Sequence, residues 1–475
     1  MASVSFASYL CTTPFDSSVK LQPSFNSFNA NWRRHFLVVN STSRTIRFLS
    51  IRGTLKASLS SSHLKTEAVD GGKRVSTLRE LCHGHVPEHV IRRMEEVGYL
   101  SPTNVQLQAL PILFSGQDCL LHAQTGSGKT LAYLLQIFAV INPQRSTVQA
   151  LIVVPTRELG IQVTKVARVL SSMYESGQKS CTVMALLDGG TLRRHKSWLR
   201  AEPPTVVVST LGSLCQMLDK QYFRLENLQV LVIDEVDFMF NSSKHAGPLR
   251  RLLTSYSSSG NRQTIFASAS IPQHRRFLYD CVQQKWTKGN IVHVHVNPVE
   301  PMPSCLQHRF LVCQKGERHL KLLSALQSDV PQSAIIFIGE QSERSKKAGN
   351  APPTTLIVDF LKASLVGSSE IILLEENINF NERAALLSDV RAGSDYLLVA
   401  TDIAARGVDL PETTHIYNFD LPKDAANYLH RAGRAGRKPF SDDICFVTSI
   451  IVAEERFVLQ RFENELKFQC EELFL

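Results

Sequence analysis

Residues Ala123, Gln124, Thr125, Gly126, Ser127, Gly128, Lys129 and Thr130 form a Gly-rich run closed by an ammonium and a hydroxyl. Such a run does phosphate chemistry: the glycines let backbone N–H groups close around the oxygens, and Lys129 reaches the β and γ positions. Thr130 has the hydroxyl that ligates magnesium in such loops. Asp234-Glu235-Val236-Asp237 ends a second apolar run, Val230-Leu231-Val232-Ile233. Of the adjacent carboxylates, Asp234 can hold magnesium through water and Glu235 can orient an attacking water. Leu120-Leu121 before the first run and Leu131 to Leu135 after it provide a strand–loop–helix setting that a chance Gly-rich stretch lacks. The pair of motifs specifies a nucleoside triphosphate with Mg2+ and its hydrolysis.

Five other constellations suit this chemistry. Gln106, in Ser101-Pro102-Thr103-Asn104-Val105-Gln106, carries an amide able to read the N6/N7 edge of adenine, a weak signal alone that its place one helix before the Gly-rich run strengthens. Thr156 and Arg157 follow the strand Leu151 to Val154, where open α/β sheets bind ligands, and suit phosphate contact. Gly190, after Gly189, would let a phosphate backbone approach closely; each of these is also compatible with a simple cap or turn. Ser268 and Ser270 flank Ala269 at a strand end and could bridge the Asp237 carboxylate to a later part of the chain. In His430-Arg431-Ala432-Gly433-Arg434-Ala435-Gly436-Arg437, Arg434 and Arg437 share a face if helical, suiting fingers on a γ-phosphate. The small residues between them would let that backbone approach a facing domain.

The elements that must position these residues alternate. Short apolar runs at Leu120-Leu121, Ala150–Val154, Val183–Leu187, Val206–Ser209, Val230–Ile233, Thr264–Ser268 and Ile291–Val294 are separated by helical stretches. This predicts an α/β domain with a mostly parallel sheet covered on both faces. Residues 297–303 hold three prolines and read as a linker. A second alternating set follows at Ala334–Ile338, Glu370–Leu374, Tyr396–Ala400, His415–Tyr417 and Ile444–Thr448. The expected organisation is a leader at 1–65, domains at 75–296 and 304–475, and the linker between them. A helix is expected from Leu78 to Val97, a polar loop from Arg344 to Thr355, and a final amphipathic helix from Ala453 to Leu473.

A length of 475 residues exceeds one ordinary core, so two or three domains are expected, and 43% hydrophobic with 20% charged residues is ordinary globular composition. No apolar run approaches the roughly 18 residues of a bilayer span, so no membrane partner is expected. The net charge of +9 sits mainly in the leader, where eight basic residues stand against Asp16 over residues 1–65. Nucleic acid would therefore be held by local patches and not by overall charge. That acid-poor, Ser-rich leader fits an organelle transit peptide, and its Met1-Ala2-Ser3 start leans to chloroplast over mitochondrion. Ten scattered cysteines form no Cys-x-x-Cys pair, so neither zinc spacing nor a disulfide framework is indicated.

Taken in order, these strings resemble the DEAD-box RNA helicases, together with Thr401-Asp402-Ile403-Ala404-Ala405-Arg406-Gly407-Val408-Asp409 in the second half. The resemblance runs from about Leu78 to the C-terminus. It implies two tandem RecA-like domains with ATP between them and single-stranded RNA across both, gripped by its sugar–phosphate backbone. Asp409 and His430 would then face ATP and the first domain. Asp237, Ser268, Ser270 and His430 would couple the two, and Thr156, Arg157, Gly190, Thr401 and Arg406 would touch RNA. Protein partners for targeting and a monomeric state are further expectations.

Several positions depart from the family pattern. Val236 replaces Ala but keeps both carboxylates, and Leu78 stands where an aromatic stacks on adenine. Thr210-Leu211-Gly212-Ser213 lacks the Arg of the usual Thr-Pro-Gly-Arg, and Phe380 replaces a Gln while Arg383 remains. An intact ATPase with a diluted RNA grip is expected: an ATP-driven organellar RNA helicase, or else an ATP-gated RNA-binding assembly factor that unwinds little. A DNA translocase is disfavoured by the Pro155 to Leu159 and His430 to Arg437 strings.

Overall fold

The computed structural model describes residues 38–40 and 77–475, except 173–179, 188–195, 198, 200, 223, 257–261, 272–275, 297–301, 304, 366–369, 376–377, 393–394, 407–409, 411–412 and 437–443. Gly190, Asp409, Arg437 and most of the expected linker lie outside the described residues.

The first sheet contains β1 (Val38–Asn40), β2 (Asp118–His122), β3 (Ala150–Val154), β4 (Val183–Leu186), β5 (Val206–Thr210), β6 (Val230–Asp234), β7 (Gln263–Ser268) and β8 (Ile291–His295). Its order is β1-β8-β2-β7-β6-β3-β5-β4, parallel throughout. The central strands are apolar along their whole length because helices cover both faces. Side-chain alternation divides the core: Leu121, Ile152, Val154, Val208 and Val232 pack on one face, and Leu120, Leu151, Val153, Val207, Leu231 and Ile233 on the other. Each such side chain contributes roughly 1.5–3 kcal/mol on burial.

The second sheet contains β9 (Leu306–Cys313), β10 (Ser333–Phe337), β11 (Glu370–Leu374), β12 (Tyr396–Ala400), β13 (His415–Asn418), β14 (Cys445–Val452) and β15 (Cys470–Glu472). Its order is β11-β12-β10-β13-β14-β9-β15, again parallel. The α/β architecture with two mostly parallel sheets is as the alternation predicts. Among the described residues no helix is long and apolar enough to cross a membrane.

The structure differs from the sequence reading in five places. The helix expected from Leu78 to Val97 is two helices, Leu78–Cys82 and Glu88–Glu96, because Pro87 stands at the N-cap of the second. Strand β9 alternates buried and exposed positions, unlike the continuous apolar runs that marked the other strands. The segment expected as a polar loop holds a helix at Glu343–Lys347, capped by Ser342, and the start of another at Pro353–Ser364. The last helix stops at Leu466 since Lys467 adopts the left-handed conformation, and β15 follows. Within the leader, β-branched Val38 and Val39 form a strand on the outer edge of β8.

Candidate active site and RNA groove

Because both sheets are parallel, the motifs collect at one edge of each. The Gly-rich loop follows β2, Thr156 and Arg157 follow β3, the carboxylates end β6, and Ser268 ends β7. The Gly-rich loop and the carboxylates enclose a cavity of about 350 Å³ lined by Leu78, Tyr99, Gln106, Thr125, Gly126, Gly128, Lys129, Thr130, Asp234, Glu235 and, from the second lobe, Arg434.

The Gly-rich loop forms one end of the cavity. Gly128 has φ +94°, a conformation L side chains resist, and a Cβ there would meet Gln106 Nε2 at 2.6 Å. Gln106 donates from Nε2 to the Gly128 carbonyl at 3.2 Å and accepts from the Thr103 N–H at 2.9 Å. The residue expected to read adenine is thus tied to the loop that would read phosphate. Lys129 is buried and donates to the carbonyls of Ala123 and Gln124 at 2.6 and 2.8 Å. Burial lowers its pKa against the opposing pull of Glu235 and Asp234. Ser127 Oγ closes the turn on the Gln124 carbonyl at 2.6 Å, and the Ala123 N–H donates to Ser268 O at 3.1 Å.

Asp234 accepts from Tyr133 Oη at 2.9 Å and from the Glu235 N–H at 3.0 Å. Burial, then the charge of Glu235, raises its pKa to about 6. Two buried acids with one ammonium nearby are what a dication would relieve, so Thr130 and Asp234 fit magnesium. Glu235 has φ +50° and ψ +49°, a strained conformation for a non-glycine residue that is kept at functional sites. Its Oε2 is buried without a hydrogen-bond partner among the described residues.

Asp237 joins the lobes. It accepts from Ser270 Oγ at 2.6 Å and from His430 Nε2 at 2.9 Å, with Arg406 Nη1 at 3.7 Å. Burial alone would raise its pKa, but His430, Arg406 and Ser270 hold it well below the usual carboxylate range. Of the two serines expected to bridge this carboxylate, only Ser270 does so, while Ser268 braces the backbone. Gly433 lies against the first lobe: a Cβ there would stand 3.6 Å from the Thr125 side chain.

A second cavity, about 770 Å³, spans the lobes beside this site. Thr156, Arg157, Gly212 and Ser213 line it from the first lobe, and Asn379, Asn381, Arg383 and Ile403 from the second. Thr156 also caps its helix, accepting from the Leu159 N–H at 3.2 Å, so cap and groove position coincide. Thr401 stands at the end of β12, but Ile403 of the same loop lines the groove instead. Arg406 is a correction: it is buried, stacked 4.6 Å over the Phe238 ring and bonded to Asn427, so its cation serves Asp237 and not the groove.

Four groups escaped the sequence reading. Tyr133, which holds Asp234, was taken as part of an apolar run. Tyr99 brings an aromatic ring to the cavity that Leu78 also lines. Lys244 and His245 line the groove beside Ser213, where the expected Arg is missing. Glu158 and Arg383, 2.7 Å apart and with side chains each 8% exposed, form an ion pair between the lobes; each residue stands in a noted string, but nothing in the sequence pairs them.

Residues 103–277 match the DEAD/DEAH box helicase family and residues 317–439 the helicase conserved C-terminal domain. The chain belongs to the DEAD-box ATP-dependent RNA helicases, a family of ATP-hydrolysing enzymes. It is 61% identical over 455 residues to the DEAD-box ATP-dependent RNA helicase 58, chloroplastic, of Arabidopsis thaliana, covering 96% of this chain and 95% of that one. The protein of the same name in Oryza sativa subsp. japonica is 64% identical over 84% of this chain and 89% of its own length. Among solved structures, Mss116p bound to ssRNA and AMP-PNP shares the fold with TM-score 0.72, 22% identity and 86% and 81% coverage of the two chains. S. cerevisiae Dbp5 bound to RNA and ADP BeF3 gives TM-score 0.68, 20% identity and 82% and 94% coverage.

Proposed function

We propose that this chain is a chloroplast RNA helicase that uses ATP to clamp RNA across its two lobes and separate short duplexes locally. The observation that carries this reading is Asp237: one carboxylate of the ATPase motif is held by Ser270 of its own lobe and by His430 and Arg406 of the other. Nucleotide state and lobe closure then depend on the same atoms.

In this reading Gln106 reads adenine, and Lys129 leaves its two carbonyls for the β and γ oxygens. Residues 123–130 wrap the phosphates, with Asp409 beside them. Thr130 and, through water, Asp234 would hold magnesium, which would add positive charge to the phosphates. Glu235 orients water at the γ-phosphorus, and Arg434 with Arg437 neutralises developing charge once the lobes close. RNA meets Thr156 and Arg157 in the groove, with Gly190 and Thr401 as further contacts, while Arg406 joins Asp237, Ser268, Ser270 and His430 in coupling. The domain limits are 75–296 and 304–475 about a linker at 297–303. Residues 1–65 act as the import leader; the names of the two plant relatives and the acid-poor composition support this. The protein acts as a monomer, with protein partners choosing the target RNA.

The test measures ATP turnover of the chain with no nucleic acid, with RNA and with DNA, beside strand separation of a short RNA duplex. Stimulation by RNA alone together with unwinding is expected; turnover indifferent to RNA overturns the reading. Ser213 favours a second outcome, ATP-gated RNA holding with little unwinding. Its hydroxyl accepts from Thr210 Oγ1 at 3.1 Å, and it has no cation to offer a phosphate. RNA-stimulated turnover without strand separation would select that reading.

A further inference from the structure

We propose that His122, His293 and His295 form a binding site for a divalent transition-metal ion, zinc foremost, separate from the ATP site. The register of β2 on β8 sets Leu120 opposite His293 and His122 opposite His295. Side chains two apart on a strand, and those directly opposite on a neighbour, share one face of the sheet. All three imidazoles therefore stand together at the carboxyl ends of the two strands, and their ligating nitrogens lie within 4.8 Å of one another.

The distances suit a small ion. His122 Nδ1 and His293 Nε2 are 3.3 Å apart, about the span of two nitrogens each ~2.0–2.1 Å from one tetrahedral zinc. The His122 and His295 rings stack with centroids 3.9 Å apart and planes within 10°, so the third imidazole is at hand and needs to turn out of the stack for its nitrogen to face the same ion. His122 also hydrogen-bonds the Ala269 backbone, the outer partner that fixes tautomer and ring direction in histidine metal sites.

Three imidazoles and one open position suit zinc, cobalt, nickel or copper and reject magnesium, which prefers oxygen. Lys129 and Lys467 stand close enough to act on His122 and His295 electrostatically. They disfavour a dication, so affinity below that of a closed structural zinc site is expected.

The test uses the full chain without nucleotide, titrated with ZnCl2 against a chromophoric chelator, and separately with CoCl2 read by its visible absorption. One saturable equivalent of zinc, tetrahedral cobalt absorption and no displacement by millimolar-scale magnesium are expected. His295→Gln should weaken zinc binding at least tenfold, the combined His122→Gln, His293→Gln and His295→Gln variant should abolish it, and Glu235→Gln should leave it unchanged. X-ray absorption of the wild-type zinc form, which needs no variant to fold, should show imidazole nitrogens as the protein ligands. The absence of saturable binding, equal binding by the combined variant, or loss in Glu235→Gln overturns the proposal.

Discussion

Asp237 Oδ2 and His430 Nε2 belong to different lobes, 193 residues apart in sequence, and meet at 2.9 Å in an interior that water does not reach. A charge-assisted hydrogen bond buried this deeply costs several kcal/mol to leave half-made, so the lobes close together or not at all. Asp237→Asn and His430→Gln should each lower RNA-stimulated ATP turnover, with the double variant little worse than either. A coupling energy of roughly 0.5–3 kcal/mol is expected from the double-mutant cycle. Additive losses would show that the two residues act separately.

Binding and chemistry should separate at two neighbours in the cavity. Lys129→Ala should weaken ATP affinity, since the ammonium that serves the phosphates is gone. Glu235→Gln should keep ATP bound yet slow hydrolysis by roughly 10²–10⁴-fold, the range for a residue that orients the attacking water. Equilibrium binding of a fluorescent ATP analogue beside phosphate release measures both.

Arg434 lies in the ATP cavity although it belongs to the second lobe. Arg434→Ala should slow turnover by about 10³-fold, the lower end for an arginine finger. Gly433→Val should fail differently: the added side chain meets Thr125, so ATP still binds but RNA no longer accelerates hydrolysis. Nucleotide affinity and the RNA dependence of turnover, measured on both variants, distinguish loss of charge from loss of closure.

Lys244 is a cation of the groove in which Ser213 stands in place of the expected Arg. Lys244→Ala should weaken RNA binding and flatten its dependence on salt by about one unit of slope, leaving turnover without RNA unchanged. Affinity measured at several salt concentrations provides the check.

His308 is buried against Phe468, with Nδ1 3.0 Å from Tyr428 Oη. Burial pushes it down to about 4 from an ordinary 6.5. The folded state therefore holds the neutral ring: its contribution is complete above pH 6.5 and is lost as pH falls through about 4. The loss is roughly 3 kcal/mol at most. Urea unfolding of the second lobe at pH 7 and pH 4.5 should show this decline, and His308→Gln should reduce it.

The strands that build the site were legible because a strand buried on both faces is apolar without interruption, as at Ala150–Val154 and Tyr396–Ala400. The phosphate loop and the Asp234–Glu235 pair were legible because their chemistry is local in sequence. Strand β9 was hidden by its alternation, and the stop at Lys467 by the absence of the glycine that usually adopts that conformation. Of what joins the lobes, Asp237, Ser270 and His430 were legible in their motifs, whereas the arginines that complete the joint were not. Nothing around Arg406 reveals that it turns inward to Asp237, and nothing near residue 383 points to Glu158, since such pairs exist only once both sheets are assembled.

The Glu158–Arg383 pair bears on how RNA binding would respond to salt. Glu158 is an internal counterion, so Arg383 does not carry a condensed cloud of solvent anions in the empty groove. A phosphate that takes Arg383 displaces a carboxylate anchored on the same protein and frees no ion into bulk water. Binding at that point gains little of the mixing entropy that normally drives cationic grooves onto nucleic acid. The groove thereby reserves part of its positive charge for RNA that has already fitted, and denies it to any polyanion that merely drifts near.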